Sequence, residues 1–142
     1  MEAAYTAVAT SIGEGRNGSA RTSDGKVEVQ LSTPKEMGGS GEGTNPEQLF
    51  ALGYAACFHS AMKGQGKALG IPVVDSAVTA EVGIGKLDDG PGFGLVITLH
   101  VELGGGVSRE DAARVVAAAH EVCPYSNATR GNVEVTLEVE TA

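Results

Sequence analysis

Apolar and polar residues alternate along four stretches of the chain. Val27, Val29 and Leu31 alternate with Glu28, Gln30 and Ser32. Val78, Ala80, Val82 and Ile84 recur at every second position of 76–86, Leu95, Ile97, Leu99 and Val101 within 94–103, and Val133, Val135, Leu137 and Val139 within 132–140. A period of two predicts strands with one buried and one wet face. Tyr5, Ala7 and Val8, interleaved with Thr and Ser, predict a further strand within 1–12. Arg16-Asn17-Gly18 contains the Asn-Gly pair of a tight hairpin, with 19–22 as its short return strand.

Two segments break this alternation. At 46–69 the residues are apolar on nearly every face, with small Ala51, Gly53, Ala55 and Ala56 between larger ones. Thr44 or Asn45 can cap this segment, Thr44 and Glu47 have capping-box spacing, and Pro46 suits the first helical position. Gly70 and Pro72 end it. A helix apolar all round is a buried one, so the other elements are expected to wrap around this helix. A second helix starts at Ser108 with Glu110 and Asp111 in its first turn. It puts Ala112, Val115, Val116 and Ala119 on one face and stops near Cys123-Pro124. Strands, helix, strands, helix, strand is the order of an α+β domain with mainly antiparallel pairing. Neither a repeat nor a linker divides it, so residues 1–142 read as a single domain.

Composition narrows the choices. With 42% hydrophobic residues a real core can form, but aromatics are only 4% and Trp is absent, so Val, Leu, Ile and Ala must build it. A formal net charge of −8 argues against nucleic acid and anionic membrane surfaces as partners. His59, Lys63 and Gln65 interrupt the apolar run too early for a membrane span. The N-terminus has no basic start followed by an apolar core, so the cytoplasm is the default location. The Gly-rich run 38–43 lacks the Lys-Ser/Thr that completes a phosphate-binding loop.

Two cysteines in such a chain are either small buried hydrophobes or a redox pair. Cys57 and Cys123 lie 123 − 57 = 66 residues apart and form no CxxC motif. Cys57 is mid-helix and Cys123 near a helix C-terminus, so neither is expected to gain from a helix N-terminus. A reactive thiolate then needs a cation. Arg16, Arg21, Arg109, Arg114 and Arg130 are all available, and the residues alone do not choose among them. Cys57, His59, His120 and Cys123 could nominally compose a zinc set, but Cys57 and His59 face opposite ways on a helix. A non-catalytic lipid or small-molecule binding protein is the alternative function; inert thiols would identify it.

Gly43-Thr44-Asn45-Pro46-Glu47-Gln48-Leu49-Phe50, Gly53-Tyr54-Ala55-Ala56-Cys57-Phe58 and Val122-Cys123-Pro124-Tyr125-Ser126-Asn127-Ala128-Thr129-Arg130-Gly131-Asn132 together resemble the organic hydroperoxide resistance (Ohr) branch of the Ohr/OsmC superfamily. The resemblance covers essentially the whole chain. His59-Ser60 departs from the apolar residues expected after the first cysteine. The resemblance implies an OsmC-like fold, with antiparallel sheets wrapped around a long buried central helix in an intertwined homodimer. It also implies a thiol-dependent peroxidase that reduces alkyl and fatty acid hydroperoxides to alcohols. Cys57 then corresponds to the peroxidatic cysteine, Cys123 to the resolving cysteine, Arg16 to the activating arginine and Glu47 to the carboxylate that holds it. Met37, Phe58, Phe93 and Tyr125 are weaker candidates for the substrate pocket. No bound cofactor or metal is implied, and the reductant is dihydrolipoamide or a lipoylated protein. Ten helical residues separate Glu47 from Cys57, about 15 Å of rise. Either Arg16 spans most of that gap or Glu47 serves the site of a second subunit, and the second arrangement is the one expected.

Overall fold

The structure, a computed structural model, describes all 142 residues, Met1–Ala142. They form two units, Met1–Leu49 and Phe50–Ala142.

In the first unit β1 (Ala9–Ile12), β2 (Ser19–Thr22) and β3 (Glu28–Gln30) pair antiparallel in the order β1-β2-β3. The hairpin between β1 and β2 is not the predicted two-residue turn. Gly13 and Gly15 take left-handed φ values of 84° and 62°, a one-turn 3₁₀ helix covers Gly15–Asn17, and Gly18 has φ −108°. Gly18 has a different duty: a Cβ there would lie 2.2 Å from the Ile12 carbonyl oxygen. The run 38–43 folds back on itself, with the N–H groups of Gly39 and Gly41 donating to the carbonyls of Pro34 and Thr33. Backbone donors consumed this way do not cradle a phosphate. Few side chains of this unit are buried; Ser32 and Asn45 are the polar exceptions, while Tyr5, Val8, Ile12 and Val27 are exposed.

Helix α1 (Pro46–Leu69) begins at the end of this unit and continues through the next. Its cap is Asn45, whose Oδ1 accepts from the Gln48 N–H at 2.8 Å, so the pair in use is Asn45 with Gln48 and not Thr44 with Glu47. The expectation of burial on every face is corrected. In the single chain only the i, i+4 stripe of Tyr54, Phe58, Met62 and Gly66 is buried, while Leu52 keeps 69% of its surface exposed.

In the second unit, β4 (Ala77–Lys86) and β5 (Phe93–Leu103) pair antiparallel across a turn closed by the Leu87 N–H donating to the Gly92 carbonyl. Helix α2 (Arg109–Val122), capped by Ser108 accepting from the Asp111 N–H, buries the four residues its periodicity selected. Pairing is mainly antiparallel, as expected, with the last strand as the exception: β6 (Glu134–Thr141) runs parallel to β5. Parallel neighbours need a long crossover, and α2 with a short helix α3 (Pro124–Thr129) supplies it. The core joins the α1 stripe, Ile97, Leu99, Val101 and Leu103 of β5, and the buried face of α2. Fully burying such aliphatic side chains is worth roughly 1.5–3 kcal/mol each, and this is where the unit gets its stability. No helix is long and apolar enough to cross a membrane.

Candidate active site

The second unit brings both thiols together. Cys57 sits beside the buried stripe of α1, half-buried, and Cys123 is fully buried. Both are free, and their sulfurs are 3.6 Å apart. Disulfide formation requires about 2.05 Å between sulfurs, so a shift of about 1.6 Å closes the bond.

Cys123 is where the secondary structure departs most from expectation. It closes α2, its N–H donating to the Ala119 carbonyl, and it is also the N-cap residue of α3, with Pro124 at the first helical position. Read as a stop, Pro124 is in fact a start, the position where a missing N–H costs nothing. Cys57 therefore does gain from a helix N-terminus. Burial pushes its thiol above the ordinary value and the adjacent Cys123 adds to this, while a hydrogen bond from the Tyr125 backbone N–H pulls the other way.

Three side chains that sequence reasoning passed over fix that corner. Tyr54 on α1 places its hydroxyl 2.8 Å from Ser126 Oγ and 3.4 Å from Thr129 Oγ1. His120 Nδ1 lies 2.8 Å from the same Ser126 oxygen. Tyr54, Ser126 and Thr129 are buried. Their signal in the sequence was faint: a lone polar tip on the apolar Tyr54–Phe58–Met62 stripe, and hydroxyls three apart after Cys123-Pro124. Tyr125 packs its ring at 5.6 Å from both Phe50 and Tyr54. It lies against Gly53, where a Cβ would stand 2.6 Å from its hydroxyl oxygen.

His59 Nε2 is bonded to Ser76 Oγ at 2.9 Å, which gives this polar departure from the family pattern a partner. Burial, and then the Arg130 guanidinium, hold His120 below the ordinary imidazole value. No group of three or more His, Cys, Asp or Glu is arranged to hold a metal ion. Phe58 is wholly inside the core and Phe93, at the start of β5, is 57% exposed.

The first unit brings Arg16 and Glu47 together. The 3₁₀ turn that carries Arg16 is pinned by Asn17, whose Oδ1 accepts the Thr33 N–H at 3.0 Å. Arg16 then grips Glu47 with two parallel bonds, NH1 to Oε2 at 2.9 Å and NH2 to Oε1 at 2.6 Å. A bidentate fork fixes the guanidinium plane as well as its charge. The Arg16 hydrogen bond holds the Glu47 carboxyl below its usual range, and Glu47 in turn raises Arg16. Of the five arginines, Arg114 pairs with Asp111 and Arg130 with Asn127 and the His120 carbonyl. Met37 ends the 3₁₀ turn Lys35–Met37 and is exposed.

Residues 39–138 match the family model described as OsmC-like protein. An organic hydroperoxide resistance protein of Xanthomonas axonopodis pv. citri is 50% identical over 137 residues, spanning 94% of this chain and 92% of its own. The organic hydroperoxide resistance protein OhrB of Bacillus subtilis is 43% identical over 138 residues, or 97% and 99% of the two chains. Among solved structures, an organic hydroperoxide resistance protein from Legionella pneumophila superposes with a TM-score of 0.92 at 47% identity, over 98% of this chain and 99% of that one. Another from Elizabethkingia anophelis gives 0.92 at 46% identity over the whole of both.

Proposed function

The chain belongs to the OsmC-like family, in its organic hydroperoxide resistance branch, and on that premise we propose that it is a thiol peroxidase that reduces organic hydroperoxides through Cys57. The observation that carries the reading is the 3.6 Å approach of two reduced sulfurs 66 residues apart in sequence. The Cys57 thiolate attacks the outer peroxide oxygen, the O–O bond breaks, and the alkoxide leaves as an alcohol after taking a proton. Cys57 is left as a sulfenic acid. Cys123 then attacks that sulfur, the S–O bond breaks, and hydroxide leaves as water. A dihydrolipoyl dithiol, free or carried on a protein, returns two electrons by thiol–disulfide exchange. No step calls for a metal or prosthetic group.

Burial raises Cys57, so attack at neutral pH needs a positive group. Arg16, oriented by Glu47, is assigned that role and that of steering the peroxide. Given the helical rise between Glu47 and Cys57, the pair is assigned to the site of a partner subunit in a homodimer. The exposed Leu52 on α1 and the exposed Tyr5, Val8 and Ile12 support a second copy covering those surfaces. The aromatic patch of Phe50 and Tyr125, with Met37 and Phe93 as further pocket residues, suits an alkyl or fatty acyl chain. The cytoplasm is the proposed compartment.

The test is stopped-flow oxidation with cumene hydroperoxide and with hydrogen peroxide, followed by dihydrolipoamide. Faster loss of both thiols to one intramolecular disulfide with the organic peroxide, restored by dihydrolipoamide, supports the assignment. Two thiols that survive excess peroxide overturn it.

A further inference from the structure

Ser126 Oγ, on α3, reaches side chains of both α1 and α2. It lies 2.8 Å from Tyr54 Oη and 2.8 Å from His120 Nδ1, inside a fully buried residue. A hydroxyl has one hydrogen and two lone pairs, so proton placement along this chain is constrained. Thr129 Oγ1 donates to the carbonyl of Tyr125 or Ser126, at 3.0 and 3.1 Å, and has no hydrogen left for Tyr54. With His120 neutral and its proton on Nε2, Tyr54 donates to Ser126 and Ser126 donates to Nδ1. Both bonds are short and every group is satisfied. With His120 protonated, Nδ1 becomes a donor. Ser126 Oγ then accepts from Nδ1–H, and one buried hydroxyl hydrogen loses its short bond: that of Ser126 if Tyr54 still donates to it, or that of Tyr54, left with the 3.4 Å contact to Thr129, if Ser126 turns toward Tyr54.

We infer that His120 is a positioning residue: as the neutral Nε2–H tautomer it fastens the first turn of α3, through Ser126, to Tyr54 of α1, and so sets how Cys123 and the Tyr125 N–H meet Cys57. Ser126 follows Tyr125 and lies three residues after Cys123, so loosening its hydroxyl loosens both. The charged and titratable groups around His120 are the Arg130 guanidinium, which donates to its carbonyl, Glu121 on α2 and the Tyr54 hydroxyl from α1. Burial first and Arg130 second favour the neutral ring, against Glu121. The fastening holds at neutral pH and is lost as pH falls through a value below the ordinary 6.5.

The role rests on the peroxidase reading only for its consequence, so the test separates the two. Disulfide formation between Cys57 and Cys123 is timed from pH 8 to pH 4.5, once with cumene hydroperoxide and once with diamide, which couples thiols without peroxide. In every variant the rate falls with pH as the Cys57 thiolate fraction falls; on top of that common slope, the wild-type protein is expected to show an extra acid limb below pH 6.5, a further fall of about fivefold, the worth of one net hydrogen bond. His120→Asn offers an amide oxygen to the Ser126 hydroxyl but does not titrate, so this limb should vanish while the rate at pH 8 stays within about twofold. Ser126→Ala should slow the reaction at every pH and flatten the limb. An acid limb unchanged in His120→Asn overturns the inference. Failure with peroxide but not with diamide sinks the peroxidase reading alone. Should the variants not fold, nitrogen NMR of the wild-type histidines decides: a bare Nδ1 on His120 at pH 7.5 supports the role, and an Nδ1–H tautomer or an imidazolium overturns it.

Discussion

Gly53→Ala sets two opposing effects of known size against each other. Replacing a mid-helix glycine with alanine, taken alone, stabilises by about 0.8–1 kcal/mol. Here the new Cβ would stand 2.6 Å from the Tyr125 hydroxyl oxygen and 3.1 and 3.2 Å from its Cζ and Cε2. The obstruction reaches well into the ring, so the ring must swing away, giving up its edge contact with Phe50 and its tilted contact with Tyr54. Such pairs are worth about 0.5–1.5 kcal/mol each. The balance is a loss of roughly 0–2 kcal/mol, too small to be informative by itself. Reactivity is the better readout. A ring pushed far enough to shift the backbone of the first turn of α3 weakens the bond from the Tyr125 N–H to Cys57. A hydrogen bond to an ionised group is worth roughly 1.5–3 kcal/mol, and the partial exposure of Cys57 argues for the low end, about a tenfold fall in thiolate reactivity. Bimane alkylation at pH 7–8, measured in a Cys123→Ser background so that only Cys57 reacts, reads this, and calorimetry reads stability. A variant more stable by the full helix gain of about 1 kcal/mol, with unaltered alkylation, would refute the claim that Gly53 exists to seat Tyr125.

Other substitutions test the remaining parts. Cys57→Ser should abolish peroxide consumption, whereas Cys123→Ser should consume one equivalent and stall as a sulfenic acid that dimedone traps. Arg16→Ala should slow Cys57 oxidation and raise the pH at which alkylation becomes fast; a pH profile of alkylation unchanged from wild type would count against the assigned cation. Glu47→Gln keeps shape but loses the ion pair. Because the folded Glu47 carboxyl is held low, its contribution to stability is present above the ordinary value of 4.5 and lost as pH falls below it. The gap in urea midpoint between wild type and Glu47→Gln should therefore be open at pH 7 and close as pH falls below 4.5 through the lowered carboxyl value.

The regular elements were legible because their periods were clean. Val133 to Val139 reads as a strand and the Ala112–Ala119 face as a buried helix stripe, and both stand in the structure. Partners are a different matter. The alternation in β6 is the same whether its neighbour runs parallel or antiparallel, so it could not report the crossover. Pro124 punctuates in both directions, and α3 was lost because a stop and a start look alike there. The Asn17-Gly18 dipeptide signalled a turn but not its type, which Gly13 and Gly15 decide. The Arg16–Glu47 fork joins residues 31 apart, and the Tyr54–Ser126 bond joins residues 72 apart. Residue types offered five arginines without choosing; the resemblance to a family chose one, and the short bonds to Glu47 give that choice a physical partner.

Cys123 is held on both sides of its α-carbon. Its N–H is tied to Ala119 behind it and its carbonyl accepts from Asn127 ahead, each at 2.9 Å. Neither half can unwind without breaking a helix end, and close packing around the sulfur leaves little choice of rotamer. Cys123 is thus an anchored post. Whatever travel bond formation demands falls mainly on the looser, half-exposed side chain of Cys57, which, on the proposed peroxidase reading, would face the incoming oxidant first and then swing inward to its waiting neighbour.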